Sequence, residues 1–206
     1  MLIILFPIFI IISLGSLIFQ GNPVFFRQER VGFKFKPFIL VKFRTMKNNS
    51  PGTLITSKGD DRITSWGKYL RVLKLDEIPQ LWNIMKGNMR FIGPRPEVPE
   101  YIKKADFSFI QKVKPGISDF SSILLRNEEK ILNKMGSNNA YEKLLPIKVR
   151  LAHLYADHKG IFMDLLLVTL TVISIISPKT SQRLIVNLFI KRFDPKLIPA
   201  IQEILI

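Results

Sequence analysis

The stretch Leu2–Phe19 constrains the chain most: eighteen residues, apolar except for Ser13, Gly15 and Ser16. A helix of that composition carries hydrocarbon on every side, so it must lie in a protein core or in lipid. It sits at the lower limit, about 18 residues, for crossing a bilayer. Pro7 removes a backbone donor and crowds the turn before it, so a kink or break is expected there. No Lys or Arg precedes the stretch and no convincing small-x-small cleavage site follows, which argues against a secretory signal. Three readings stay open: a membrane anchor, a kinked re-entrant membrane hairpin and a soluble core helix.

Charge narrows the partners. A formal net charge of +15 favours polyanions, whether nucleic acid, anionic headgroups or phosphorylated substrates. The chain also has a positive mean hydropathy of +0.19, which is unusual for a basic nucleic-acid binder and adds weight to membrane attachment. It contains no nucleic-acid-binding motif. With no cysteine, thiolate chemistry and disulfides are excluded. Only His153 and His158 are present, so a histidine-rich metal site is not expected, and any metal would be a hard, oxygen-ligated ion such as magnesium.

After the turn signal Gly21-Asn22-Pro23, the segments Val24–Phe26 and Phe38–Val41 predict two short strands joined as a hairpin. Lys42 and Arg44 follow, and strand alternation would aim both at one face, where they could meet a phosphate. The polar, turn-rich segment from Lys47 to Gly59 reads as a mobile loop, and Trp66, Tyr69, Leu70 and Leu73 predict a helix. A weakly amphipathic helical pattern covers Glu97–Lys114. Another helix is expected from about Tyr141 through Tyr155, interrupted at Pro146. The second apolar run, Ile161–Ser177, has only fourteen uncharged residues between Asp164 and Lys179, which suits a core or interfacial helix. Residues Arg183–Ile206 mix apolar and basic positions, as in helices lying on anionic membrane or packing on a core with a solvated basic face.

The richest chemistry lies in Arg71–Pro96, R-V-L-K-L-D-E-I-P-Q-L-W-N-I-M-K-G-N-M-R-F-I-G-P-R-P. One account is purely structural. Asp76 caps a helix, Glu77 sits in its first turn, Pro79 is tolerated there, and Ile78, Leu81, Trp82 and Met85 form a buried face. The other account is chemical. A carboxylate can attack phosphorus, and a neighbouring one can hold magnesium, provided cations such as Arg71, Lys74 and Arg95 offset the charge. Adjacent helical residues point about 100° apart, so Asp76 and Glu77 would divide the work.

Several motifs recur in a fixed order: R-V-G-x5-F-x3-K-F-R-T-M from Arg30 to Met46, D-R-I-T from Asp61 to Thr64, and L-D-E-I-P-Q-L-W-N-I-M-K-G-N-M-R-F-I-G-P-R-P. They are followed by K-P-G-I from Lys114 to Ile117 and D-L-L-L after Met163. In this set the chain resembles the bacterial sugar transferase family, the monotopic polyprenyl-phosphate hexose-1-phosphate transferases. The resemblance implies an α+β fold, mainly helical with a small β-hairpin, on the cytoplasmic face of the bacterial inner membrane. It divides the chain into a membrane-inserted kinked re-entrant helix (1–21), a catalytic domain (22–179) and basic amphipathic helices (180–206).

The reaction it implies moves a sugar 1-phosphate from a UDP-sugar to undecaprenyl phosphate and releases UMP, at the start of glycoconjugate assembly. Asp76 would be the nucleophile and Glu77 its partner, holding Mg2+. Arg71, Arg95, Lys42, Arg44, Pro94 and Pro96 would line the substrate site. Membrane lipids are expected partners and nucleic acid is not.

The chain also departs from the family pattern. Only six residues precede Pro7, and Phe6 stands for a serine, so part of the re-entrant helix is expected to be missing. Lys74 and Arg90 each replace a common serine, and Ala152 occupies a position that is often acidic. Ser118–Ser122 replaces T-G-W-A-Q, with an expected effect on the sugar or nucleotide pocket. These departures motivate a second reading, a catalytically inactive membrane-attached scaffold.

Overall fold

In the computed structural model, which describes residues 2–48, 60–136 and 139–205, the apolar N-terminal stretch is a helix, α1 (Leu2–Gln20), that runs unbroken past Pro7. The proline sits close to the helix start and forfeits one backbone bond there. Gly21 ends the helix, with φ +69° and its N–H on the Leu17 carbonyl at 3.0 Å. Among the described residues, no helix is long and apolar enough to cross a membrane.

The expected hairpin forms. Strands β1 (Phe25–Val31) and β2 (Pro37–Phe43) pair antiparallel, with Phe25 opposite Phe43 and Val31 opposite Pro37. Phe43 joins Ile12 of α1 and Leu70 of the next helix in a small core, to which Phe9, Phe25 and Trp66 add their rings. That helix, α2 (Ser65–Val72), begins at Thr64, whose hydroxyl accepts the Gly67 N–H at 2.9 Å. Gly67 touches the Thr45 backbone so closely that a Cβ would lie 2.1 Å from the Thr45 carbonyl oxygen. Residues 49–59 of the segment read as a mobile loop lie outside the described residues.

Beyond α2 the chain makes a 3-10 turn (Leu75–Glu77) and a short helix, α3 (Gln80–Met85). A second two-stranded sheet was not evident in the sequence: β3 (Arg90–Ile92) pairs in parallel with β4 (Gly116–Ser118). The helix expected over Glu97–Lys114 is not there. The segment holds only α4 (Pro99–Ile102) and a 3-10 turn (Ser108–Gln111). Asp106 Oδ1 accepts the Ser108 N–H at 2.9 Å, a local bond that competes with helix continuation.

The main core is helical. It is built by α5 (Phe120–Leu124), α6 (Glu128–Met135), α7 (Ala140–His158), α8 (Ile161–Ile176) and α9 (Pro178–Ile185). Contrary to the expected interruption, α7 passes through Pro146, whose neighbours Leu144 and Leu145 are fully buried and hold the helix in place. The remaining short helices, α10 (Lys191–Phe193) and α11 (Ile198–Leu205), follow. The tail is part of the body: Ile185, Ile190, Leu197 and Ile201 join the core, and Gln182 Nε2 donates to the Leu124 carbonyl at 2.8 Å.

Candidate active site

The acid pair lies on the 3-10 turn Leu75–Glu77, which packs against α2 and β2. The turn is entered through Lys74, whose backbone is left-handed (φ 58°, ψ 22°). A side chain in that region is disfavoured, and such positions cluster where structure serves function. Asp76 does not cap a helix as the structural account required. The residue before α3 is Pro79, which offers no side-chain cap, and Asp76 Oδ1 is buried without a hydrogen-bond partner. The apolar face expected on α3 is buried only in part: Ile78 packs on the small core and Leu81 is half-buried. Trp82 and Met85 are 53% and 55% exposed, whereas Gln80 and Asn83 are each 2% exposed. The bonds of Asn83 explain its burial: its Nδ2 donates to the Ile39 carbonyl at 2.6 Å and its Oδ1 accepts the Val41 N–H at 3.1 Å. The side-chain amide extends the β2 edge as another strand would, so neither backbone group is left unpaired.

Glu77 is gripped from two sides. Arg95 Nη2 donates to Oε1 at 2.6 Å and Lys42 Nζ approaches the same oxygen at 3.4 Å. Burial works against its charge, but Arg95 and Lys42 outweigh it and hold the carboxyl well below the usual carboxylate range. For Asp76 the balance tips the other way. Burial, with the adjacent Glu77 charge, raises its pKa against the pull of Lys42, Lys74 and Arg71. Two neighbouring acids thus differ sharply: one is a fixed anion, the other a desolvated carboxyl with a buried oxygen that has no hydrogen-bond partner.

The other sequence-predicted residues separate into two groups. Arg71 remains close, near enough for its charge to act on Asp76, with Nε on Thr45 Oγ1 at 3.0 Å and Nη1 on Glu129 Oε1 at 2.6 Å. Arg44 goes elsewhere. The strand ends at Phe43, and the buried Arg44 guanidinium donates to the carbonyls of Pro23 (2.6 Å), Gln20 (2.6 Å), Gly21 (2.7 Å) and Met46 (3.1 Å). Its role here is to tie the end of α1 to the hairpin. Pro94 and Pro96 flank Arg95, and their carbonyls accept from Gly116 N (3.0 Å) and Arg30 Nη1 (3.1 Å).

Two cations escaped the reading of the sequence. Arg30 lies close enough to Arg95 for the two charges to repel, and Arg126 lies within reach of the Glu77 charge, with Nη1 on Ser174 Oγ at 3.1 Å. Both are brought in by tertiary packing, and only Arg30 stood inside a motif. The altered segment Ser118–Ser122 makes a capping box for α5, with Asp119 Oδ1 accepting Ser122 N and Ser122 Oγ accepting Asp119 N, each at 2.8 Å.

A family model described as bacterial sugar transferase matches residues 1–178. The chain belongs to that family. It is 36% identical over 156 residues to the uncharacterized sugar transferase EpsL of Bacillus subtilis strain 168, covering 74% of this chain and 69% of EpsL. Another bacterial sugar transferase, the UDP-glucose:undecaprenyl-phosphate glucose-1-phosphate transferase of Xanthomonas campestris pv. campestris, is 31% identical over 186 residues. That match covers 86% of this chain and only 36% of the longer relative. The UDP-N-acetylgalactosamine-undecaprenyl-phosphate N-acetylgalactosaminephosphotransferase of Aeromonas hydrophila is 39% identical over 110 residues, covering 50% of this chain and 26% of that protein.

Among the described residues, no group of three or more His, Asp or Glu side chains is arranged to hold a metal ion. A magnesium ion needs no such cage, since it retains waters and substrate phosphates and takes one or two carboxylates from the protein. Glu77, a carboxylate held ionised beside Asp76, is a donor of that kind.

Proposed function

We propose that this bacterial sugar transferase moves a sugar 1-phosphate from a UDP-sugar to undecaprenyl phosphate and releases UMP. The observation that carries the reading is the buried Asp76 oxygen without a partner, set beside a Glu77 held ionised by Arg95 and Lys42. The names of the relatives support it, and they do not favour the inactive-scaffold reading. A carboxylate taken out of water is a stronger nucleophile once ionised, and Lys42, Lys74 and Arg71 favour that ionised form.

In the proposed first step, an Asp76 oxygen bonds to the phosphorus that bears the sugar. The bond from that phosphorus to the bridging oxygen breaks, and UMP leaves with the electron pair. In the second step, an oxygen of the lipid phosphate attacks the same phosphorus, the acyl-phosphate bond breaks, and Asp76 is restored. Glu77 would hold magnesium, and the ion, when bound, would neutralise charge on the transferred group. Arg95, Lys42 and Arg71 would orient the phosphates.

The acceptor is a lipid, which places the reaction at a membrane, in our reading the cytoplasmic face of the inner membrane. In this picture α1 is the membrane-inserted element and the basic tail lies along the headgroups. The test is UMP release by membranes containing the chain, supplied with a panel of UDP-sugars, undecaprenyl phosphate and magnesium. Asp76→Asn is expected to lower the rate by roughly 10⁴-fold or more. Full activity in that variant sinks the nucleophile assignment, and absence of UMP from the unmodified chain sinks the reaction.

A further inference from the structure

The segment Gly93–Glu97, which carries Arg95, belongs to neither helix nor strand, and two of its residues are prolines without an N–H. Bonds from outside therefore fix its course. Gly93 N donates to the Ser118 carbonyl (3.0 Å), Gly116 N to the Pro94 carbonyl (3.0 Å) and Val31 N to the Glu97 carbonyl (3.0 Å). One further bond comes from a side chain, Arg30 Nη1 to the Pro96 carbonyl at 3.1 Å. Arg30 is an awkward clamp. It is largely buried, its Nε has no partner, and its charge is repelled by Arg95. What offsets it is Glu97, 3.7 Å from Nη1.

Glu97 is in turn almost fully buried and strongly held. Its Oε1 accepts the Tyr141 hydroxyl at 2.6 Å and pairs with Lys148 Nζ at 2.9 Å. Lys148 also donates to the Tyr141 oxygen at 2.8 Å and reaches Glu128 at 3.4 Å. Arg95, Glu97 and Lys148 line one small cavity together with Asp119 and Ser121. Along these contacts the charges alternate: Glu77, then Arg95 and Arg30, then Glu97, then Lys148, with the half-buried Glu128 acting on both Lys148 and Arg95.

We propose that Lys148, on the core helix α7, is a positioning residue for the reaction: by neutralising part of Glu97 it keeps Arg30 on the Pro96 carbonyl, and so holds Arg95 against Glu77. This rests on the preceding reading of the site. Without Lys148, Glu97 carries an excess of buried charge and draws Arg30 toward itself and off the carbonyl. The Arg95 segment then loses its side-chain clamp, and misplacement by about 1 Å in such a site costs on the order of 10²-fold in rate.

A double-mutant cycle on UMP release tests it. Lys148→Met is expected to lower kcat by about 10²-fold with KM for the UDP-sugar changed far less. In an Arg95→Ala background the same change is expected to cost less than about twofold, because the group being positioned is gone. Equal losses in both backgrounds, or a loss in KM alone, overturn the proposal. Lys148→Met leaves Glu97 with an excess of buried charge and can impair folding, so Glu97→Gln with Lys148→Met, which removes both charges, is run beside it; with no excess charge at position 97 to draw Arg30 off the carbonyl, it is expected to recover most of the kcat, and an undiminished loss overturns the proposal. Should the unmodified chain release no UMP, the transferase reading fails on its own. The positioning network is then judged by the same cycle on denaturant midpoints: coupling between positions 148 and 95 sustains it, and additivity overturns it.

Discussion

Asp76 and Glu77 are covalent neighbours in a single turn, yet their surroundings drive them in opposite directions. Glu77 meets Arg95 and Lys42, whereas Asp76 keeps one oxygen free of any hydrogen bond. The cost of this arrangement falls on Lys42, whose ammonium is buried near Arg95. Burial and that like charge push its pKa down to about 8, against the pull of Glu77 and Asp76. A lysine so lowered is charged below about pH 8 and neutral above it. Losing that charge removes one support for ionised Asp76. For UMP release, kcat/KM, which reports the free enzyme, is therefore expected to fall as pH rises through about 8. Lys42→Arg, charged throughout, is expected to lack this limb. An unchanged alkaline limb in that variant would assign it to another group. The sequence made both acids and both cations legible as candidates. It did not disclose which acid would be paired, because that depends on Arg95 arriving from eighteen residues away.

At the level of elements, the connection between α3 and β2 carries the most information. Residue spacing on α3 suggested an ordinary apolar inner face, and the pattern was real, but packing turned the helix so that Asn83 could complete the edge of β2. A hydrophobic pattern states that a face wants partners and leaves open whether they are protein or lipid. Asn83→Leu is expected to cost about 2–3 kcal/mol, because the Ile39 carbonyl and Val41 N–H then lie in the interior unpaired. Denaturant unfolding measures this, and a cost within about 0.5 kcal/mol would mean that water replaces the amide. The same logic accounts for Arg44. Strand alternation predicted a common face with Lys42, and it failed because the strand stops at Phe43, one residue too early. The helix expected over Glu97–Lys114 failed through local bonding at Asp106, a competition that periodicity does not register.

Taken as a whole, the molecule exposes large apolar side chains on both sides of its acid pair: Tyr69, Val72 and Leu73 before it, Trp82 and Met85 after it. Along α8, Ile161, Leu165, Val168, Val172 and Ile175 form a further exposed stripe at helical spacing. If the chain meets an anionic membrane as proposed above, these side chains and the basic composition point to contact through more than α1. The chain is expected to float with vesicles containing anionic lipid, and Trp82→Asp with Met85→Asp to weaken flotation several-fold without lowering the unfolding midpoint. Unaltered flotation would leave α1 and the tail as the attachment.

The sequence by itself determined the family, through motifs held in order, together with the acid pair, the hairpin and the apolar N-terminal helix, all of which rest on residue identity or short-range periodicity. Tertiary structure alone decided the parallel pairing of β3 with β4, the turning of α3, the diversion of Arg44, and the network from Arg30 through Glu97 to Lys148. These join residues far apart in the chain, 66 positions in the case of Arg30 and Pro96. Which buried charge finds which partner is settled only when the core closes and unpaired ions can no longer reach water.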